Sequence, residues 1–139
     1  MNKKIWTSLF IRYGRAEAVS FYNKHQDSFD FQIISEAKTG LTMVKVREHA
    51  ENSLFYLGEV LITETKIKKD EHIGLGVVKG EDMQFSEAMS FIDLCMKKEY
   101  FQQELADILT ELENIQTEVE QIKTQALLET KVDFSMMNE

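Results

Sequence analysis

Residues 40–65 read GLTMVKVREHAENSLFYLGEVLITET, and they decide the prediction of the fold. Residues 41–46 and 53–68 are rich in β-branched and aromatic side chains, and the polar residues 48–52 connect them. So short a connection can join antiparallel strands, whereas parallel strands need a crossover of about a dozen residues. The stretch therefore predicts two antiparallel strands, and it contains no recognisable catalytic motif.

Further strand signals lie on both sides of this stretch. Residues 29–37 are rich in strand formers and are followed by the turn-forming residues 38–40. Residues 73–78 form another short apolar run. Together the four runs predict a four-stranded antiparallel meander over residues 29–78.

Glycines recur in this region, at Gly58, Gly74, Gly76 and Gly80. The last three superficially resemble a phosphate-binding loop, but their spacing fits neither the dinucleotide fingerprint nor a P-loop. Glycine inside a strand usually marks a bulge or the close approach of another backbone, and we predict that role here.

Helices are predicted before and after the strands. Residues 3–13 and 15–25 carry apolar side chains at helical spacing and are separated by Gly14. Residues 82–98 form a third predicted helix with Asp82 as its N-cap. Its predicted buried face consists of Phe85, Met89, Ile92 and Met96. The predicted fold class is α+β, with short N-terminal helices, the meander and two longer C-terminal helices that end near residue 130.

The clearest periodicity lies in residues 101–122. Apolar residues alternate spacings of four and three over three heptads, and their burial would contribute on the order of 10–20 kcal/mol of transfer free energy. They are Phe101, Leu105, Ile108, Leu112, Ile115, Val119 and Ile122. Glutamates at 104, 111 and 118 flank them, so an antiparallel homodimer would bring like charges together. Packing on the chain's own core or on a different protein is favoured, and a homodimer stays an alternative.

Composition restricts the function classes. A chain of 139 residues predicts a single domain, residues 1–139. Residues 81–139 hold 4 Lys and Arg against 14 Asp and Glu, a balance of −10 that disfavours nucleic-acid binding. No apolar run is long enough for a membrane span, and the N-terminus lacks the pattern of a signal peptide. The single Cys95 cannot form an internal disulfide, which predicts a cytoplasmic location.

No catalytic or metal-binding constellation emerges from the sequence. His25, His49 and His72 lack the spacing of metal ligands. Cys95 lies on the predicted buried side of its helix, where a cysteine is usually inert. We therefore predict no catalytic residue, no metal and no cofactor, and a chain that contributes shape to the active site of another protein.

One set of residues matches a known family in order and spacing over nearly the whole chain. It comprises Gly40-Leu41, Val46-Arg47, residues 55–63 (FYLGEVLIT), Gly80 and Asp82, Glu87, Ile92-Asp93, and the closing Val132-Asp133-Phe134 with Met137. In these residues the chain resembles the PhnG subunit of bacterial carbon–phosphorus lyase. The departures from the family pattern are Glu81 in place of an Arg at the helix entry, Ser86-Glu87 in place of Ala-Glu, and residues 48–52 in place of a Gly-rich hairpin.

The resemblance implies a partnership. PhnG-type subunits work in a core complex with PhnH-, PhnI- and PhnJ-type subunits. This complex converts an alkylphosphonate and a nucleoside triphosphate to ribose 1-alkylphosphonate 5-triphosphate, and the carbon–phosphorus bond is cleaved later. The chemistry is attributed to the PhnI- and PhnJ-type subunits. The resemblance thus implies a non-catalytic component of a transferase and lyase complex, a ribose 1-methylphosphonate 5-triphosphate synthase.

The candidate interface or structural residues under this resemblance are Arg47, Glu59, Glu87, Asp93, Asp133 and Phe134. The local alternatives are a cross-strand pair of Arg47 with Glu59 and a solvated position for Asp93. Residues 131–139 are predicted to form an extended tail, and Phe134 is expected to dock on the domain or on a partner. Two competing functions remain: a homodimeric binding module joined through residues 101–122, and a small metal- or nucleotide-dependent enzyme.

Overall fold

The computed structural model describes the backbone of residues 1–47 and 54–137 and the side chains of residues 1–44 and 58–131. In chain order the elements are α1 (Lys3–Tyr13), α2 (Arg15–His25), β1 (Gln32–Arg47), β2 (Leu54–Lys69), β3 (His72–Lys79), α3 (Met83–Lys98) and α4 (Gln102–Met137). The α+β class is confirmed, and so are the predicted bounds of α1 and α2. The chain groups into two compact units, one of Met1–Gly14 with Gln103–Glu139 and one of Arg15–Gln102.

The sheet of the described residues has three antiparallel strands in the order β1-β2-β3, so the predicted four-stranded meander is wrong. Residues 32–37 of the first run and the run 41–46 belong to one strand, because residues 38–40 pair with residues 62–64 of β2 instead of turning. Strand β2 is 16 residues long and offers pairing partners throughout this segment. The φ angle of Gly40 is not positive, so its backbone does not adopt a left-handed turn conformation and the strand continues through it.

Helix α3 lies against β2 and β3 at backbone distance. The Ser86 hydroxyl donates to the Gly76 carbonyl at 3.0 Å and lies 2.7 Å from the Thr65 hydroxyl oxygen. A Cβ added at Gly74 or Gly76 would meet the backbone carbonyl oxygen of Ser90 or Ser86, respectively. The predicted close backbone approach is therefore confirmed at these two glycines, and their open side serves helix packing.

An aromatic cluster packs around Phe91 in the middle of α3. Phe91 is fully buried, and its ring centroid lies 5.3 Å from that of Tyr22 and 5.9 Å from that of Phe31. The ring of Phe29 stacks on Phe91 at 5.2 Å. Such contacts contribute beyond area burial, and they hold Tyr22 and Phe31 next to α3.

The other unit is built from α1 and α4. The buried residues of these two helices are Trp6, Leu9, Phe10, Leu105, Leu109 and Leu112. Helix α4 continues to Met137, so the prediction of an extended tail from residue 131 is wrong for the backbone up to that point. Residues 123–137 contain neither Gly nor Pro, and they include Ala126, Leu127 and Leu128, which are strong helix formers.

Candidate functional site

A cleft of about 330 Å³ opens beside α3 in the Arg15–Gln102 unit. Its lining comes from α2, from β1 and the residue before it, from β2 and from α3. The lining residues are Tyr22, Phe31, Ile33, Glu36, Ala37, Thr65, Ile67, Met83, Glu87 and Ser90. Of the predicted site residues whose side chains are described, Glu87 alone lines this cleft, and it is half-buried.

The hydroxyls of the cleft are largely engaged inside the fold. Ser90 Oγ donates to the backbone carbonyl of Glu87 at 2.7 Å, and Thr65 Oγ1 lies 2.7 Å from Ser86 Oγ. No described residue forms a hydrogen bond or an ion pair with the Glu87 carboxylate. Burial, and then the negative charges of Glu87 and Asp27, raises the pKa of Tyr22, so its hydroxyl stays protonated at neutral pH.

The cleft combines apolar walls with negative charge. Phe31, Ile33, Ile67 and Met83 supply apolar surface, and the described lining residues include two carboxylates but no Lys, Arg or His. An anion that enters would be repelled by these carboxylates, whereas a cation with an apolar body would gain from both features.

Asp93 is buried, with 1% of its surface exposed, so the prediction of a solvated position is wrong. Its contacts give it a structural role. Its Oδ2 accepts a hydrogen bond from the Leu75 backbone N–H at 2.9 Å and lies 3.2 Å from Lys97 Nζ. Lys97 Nζ also donates to the Ile73 carbonyl at 2.5 Å. Because β3 is an edge strand, these bonds occupy main-chain groups that another strand could otherwise use.

Of the other predicted site residues, Glu59 and Asp93 have described side chains, and neither lines the cleft with Glu87. In the strand register Arg47 lies opposite Leu54 and Glu59 lies opposite Met43, so the predicted cross-strand pair is wrong. The register shift between Val44 and Lys45 contributes to this offset. Glu59 is exposed on β2. Outside the described side chains lie those of Arg47, Asp133 and Phe134.

Packing accounts for Cys95 and His25, whereas His72 is exposed at the start of β3. Cys95 is fully buried, and burial raises the pKa of its thiol to about 12, so it is not a thiolate nucleophile at neutral pH. The His25 ring stacks on Phe101 with centroids 4.0 Å apart. His49 lies outside the described residues. Within the described part, no group of three or more His, Cys, Asp or Glu side chains could hold a metal ion.

The burial of the apolar residues of helix α4 decreases along its length. Leu105, Leu109 and Leu112 are buried in its first part. Farther along the same predicted stripe, Ile115 is 38% exposed and Ile122 is 68% exposed. We call Ile115, the half-buried Val119 and Ile122 the distal stripe. Among the residues whose side chains are described, packing therefore accounts for the first part of the predicted heptad pattern but not for the distal stripe.

The distal stripe lies on a strongly acidic helix. Residues 102–131 contain seven acidic residues and two lysines. The acidic residues are Glu104, Asp107, Glu111, Glu113, Glu118, Glu120 and Glu129. A surface that covers the stripe would meet this negative charge at its rim, which favours a basic partner surface.

None of the helices formed by the described residues is both long and apolar enough to cross a lipid bilayer. A comparison with known protein families gives a match over residues 1–138, essentially the whole chain, to the family described as "Phosphonate metabolism protein PhnG". The chain therefore belongs to the PhnG family of phosphonate metabolism proteins, and the resemblance seen in its sequence motifs is confirmed.

Proposed function

We propose that this PhnG-family protein is an accessory subunit of a carbon–phosphorus lyase core complex. It would work with PhnH-, PhnI- and PhnJ-like partners in the conversion of an alkylphosphonate and a nucleoside triphosphate to ribose 1-alkylphosphonate 5-triphosphate. The family assignment supports a role in phosphonate metabolism. The assembly, its partners and a cytoplasmic location are parts of the proposal.

The distal stripe is the observation that carries the proposal of a subunit role. Ile122 has 68% of its surface exposed, and Leu127 and Leu128, just beyond the stripe, are 72% and 58% exposed. Burying a side chain of this size contributes about 1.5–3 kcal/mol. A partner that covers the stripe would recover this free energy, and basic residues on the partner would complement the acidic rim of α4.

A non-catalytic role for the isolated chain is supported by how its reactive groups are used. The Cys95 thiol is buried, the Asp93 carboxylate holds an edge strand, and Gly74 and Gly76 make room for α3. These groups serve packing, so we propose that the reaction is carried out by the partner subunits.

Co-expression with a PhnI-type protein, followed by affinity purification through a tag on that protein, tests the proposal. We expect the wild-type chain to co-purify in a fixed ratio. The double variant Ile115→Glu with Ile122→Glu places two charges in the distal stripe, and its recovery should fall at least about tenfold.

Thr117→Glu with Thr124→Glu is the matched control, because it adds the same charge on the opposite side of α4, where both threonines are exposed. This control should co-purify like the wild type. The proposal would be overturned by a wild-type chain that does not co-purify with any of the PhnI-, PhnH- or PhnJ-type proteins.

A homodimeric interaction module joined through residues 101–122 is the second candidate, because a second copy could also cover the distal stripe. Sedimentation of the isolated chain separates the two functions. A stable dimer that is dissociated by the Ile115→Glu with Ile122→Glu variant, together with no binding of PhnI-type protein, would favour the module. The glutamates at 111 and 118 beside the stripe weigh against this self-association.

A further inference from the structure

We infer that the cleft beside α3 receives a lysine or arginine side chain of a partner subunit, and that Glu87 is the residue that pairs with it. The inference rests on the proposed function, since it requires a partner protein. It concerns a surface distinct from the distal stripe, because the cleft lies in the Arg15–Gln102 unit and the stripe lies in the other unit.

The first step of the argument is the state of Glu87. Its side chain is half-buried on α3, and none of the described residues supplies a hydrogen-bond donor or a cation to its carboxylate. Nearby Ser90 turns its hydroxyl to a backbone carbonyl instead. A partly desolvated carboxylate gains when a cation arrives, because the surrounding protein screens the attraction less than water does.

The second step is the shape and lining of the cleft. A volume of about 330 Å³ lies at the lower end of the range for ligand pockets, so it can accommodate one long side chain. The stems of lysine and arginine are apolar and would pack against Phe31, Ile33 and Ile67. Tyr22 and Phe31 add aromatic side chains to the lining, which a cationic head group can approach, and the exposed Glu36 adds a second negative charge.

The third step is the exclusion of the phosphonate as the occupant. Phosphonates and nucleoside triphosphates are anions, and in the described lining they would meet the carboxylates of Glu36 and Glu87 without a compensating cation. The half-buried Glu87 repels an anion with less screening by water than the exposed Glu36 does. The cleft therefore suits a protein contact, and the anionic substrate is expected to bind elsewhere in the complex.

The decisive experiment measures the affinity of the purified chain for each purified PhnI-, PhnH- or PhnJ-type protein that it binds, with and without the charge of Glu87. We expect Glu87→Gln to raise Kd about tenfold or more at low salt, because it removes one partner of a desolvated charge pair. Glu71→Gln removes the same charge from the exposed β2–β3 turn and should leave Kd within about twofold. Circular dichroism of both variants checks that the fold is retained.

A photo-crosslink identifies the occupant directly. Met83 lines the cleft and is 45% exposed, so p-benzoylphenylalanine at this position can be introduced at the cleft without filling the core. The crosslinked peptide of the partner should contain a lysine or arginine next to the attachment site. A crosslinked peptide without a basic residue, or a crosslink only to a second copy of this chain, would overturn the inference.

The outcomes separate the inference from the proposed function. If the wild-type chain binds a PhnI-, PhnH- or PhnJ-type protein and Glu87→Gln binds each of these partners equally well, the inference fails while the subunit role stands. If alkylphosphonate stabilises the wild-type chain against heat but not Glu87→Gln, the cleft is a substrate site and the inference fails. If the wild-type chain binds none of the PhnI-, PhnH- and PhnJ-type proteins, both proposals fail.

Discussion

Helices α3 and α4 each carry an apolar stripe, but they differ in what covers it. From Phe85 to Cys95 every residue of α3 is buried except the half-buried Glu87. Helix α4 is more than twice as long, 36 residues against 16, yet three of its described residues are buried. An apolar stripe therefore predicts that a helix will be covered, but the covering surface belongs to the same chain in one case and, we propose, to a partner in the other.

The largest expected loss of stability comes from a substitution that forces α3 away from the sheet. Gly76→Val would place side-chain atoms against the Ser86 carbonyl, which is backbone and cannot move aside cheaply. We expect a loss of roughly 3–5 kcal/mol in the free energy of unfolding, measured by urea denaturation. Gly40→Val is the control, since nothing lies within 4 Å of a Cβ at that position, and it should change stability by less than about 0.5 kcal/mol. Equal stabilities of the two variants would contradict the close packing of α3.

The difference between buried and exposed apolar residues can also be tested within α4. Leu112 is fully buried, so Leu112→Ala should lower the free energy of unfolding by about 2–5 kcal/mol. Ile122 is 68% exposed in the isolated chain, and Ile122→Ala should change the free energy of unfolding by less than about 0.5 kcal/mol. If Ile122→Ala costs as much as Leu112→Ala, the distal stripe is buried within the chain and is not free for a partner.

The bounds of several helices could be predicted from the sequence because their signals are local. Gly14 separates α1 from α2, and the Asp82 side chain accepts a hydrogen bond from the Phe85 N–H at 3.2 Å as the N-cap of α3. The continuity of β1 could not be predicted, because residues 38–40 have turn chemistry and extend only where β2 offers pairing partners. Nor does a heptad spacing specify how far along α4 the chain's own core extends.

The candidate site was predicted less well than the fold. The family motif singles out Glu87, whereas Tyr22 and Glu36 lie on other elements and are brought to it by the packing of α2 and β1 around α3. Their sequence separation leaves no short-range signal. The buried position of Asp93 could not be predicted from the sequence, because its carboxylate bonds to the outer edge of β3, a contact that only the packing of α3 on the sheet creates.

Removing the contact of Asp93 with the edge strand β3 should cause a smaller loss of stability. This contact joins α3 to the sheet. Asp93→Ala leaves the half-buried Leu75 N–H without its acceptor, and we expect a loss of about 1–3 kcal/mol in the free energy of unfolding. Asp93→Asn keeps an oxygen acceptor and should lose about 1 kcal/mol. Amide hydrogen exchange at Leu75 should accelerate in the Ala variant. Unchanged exchange would show that the edge strand does not depend on α3.

The smallest effect concerns the start of α3 and depends on pH. Arg15 Nε donates to Asp82 Oδ2 at 2.6 Å, and this hydrogen bond is the main cause that lowers the pKa of Asp82. A carboxylate whose pKa is lowered by folding stabilises the protein above its unfolded-state pKa of about 3.9, and this contribution is lost as the pH falls through the folded-state pKa. Arg15→Gln should therefore be less stable than the wild type at pH 6, with a difference that shrinks towards pH 2.5.

Chemical denaturation between pH 7 and pH 2.5 measures this difference. Arg12→Gln is the control, because it removes the same charge from α1, where no ion pair of Arg12 is found among the described residues. Its stability difference from the wild type should not follow the titration of Asp82. Salt should reduce the Arg15→Gln effect, since this pair is exposed on the Arg15 side. A difference that stays constant across the acid range would mean that the Asp82 carboxylate caps α3 without help from Arg15.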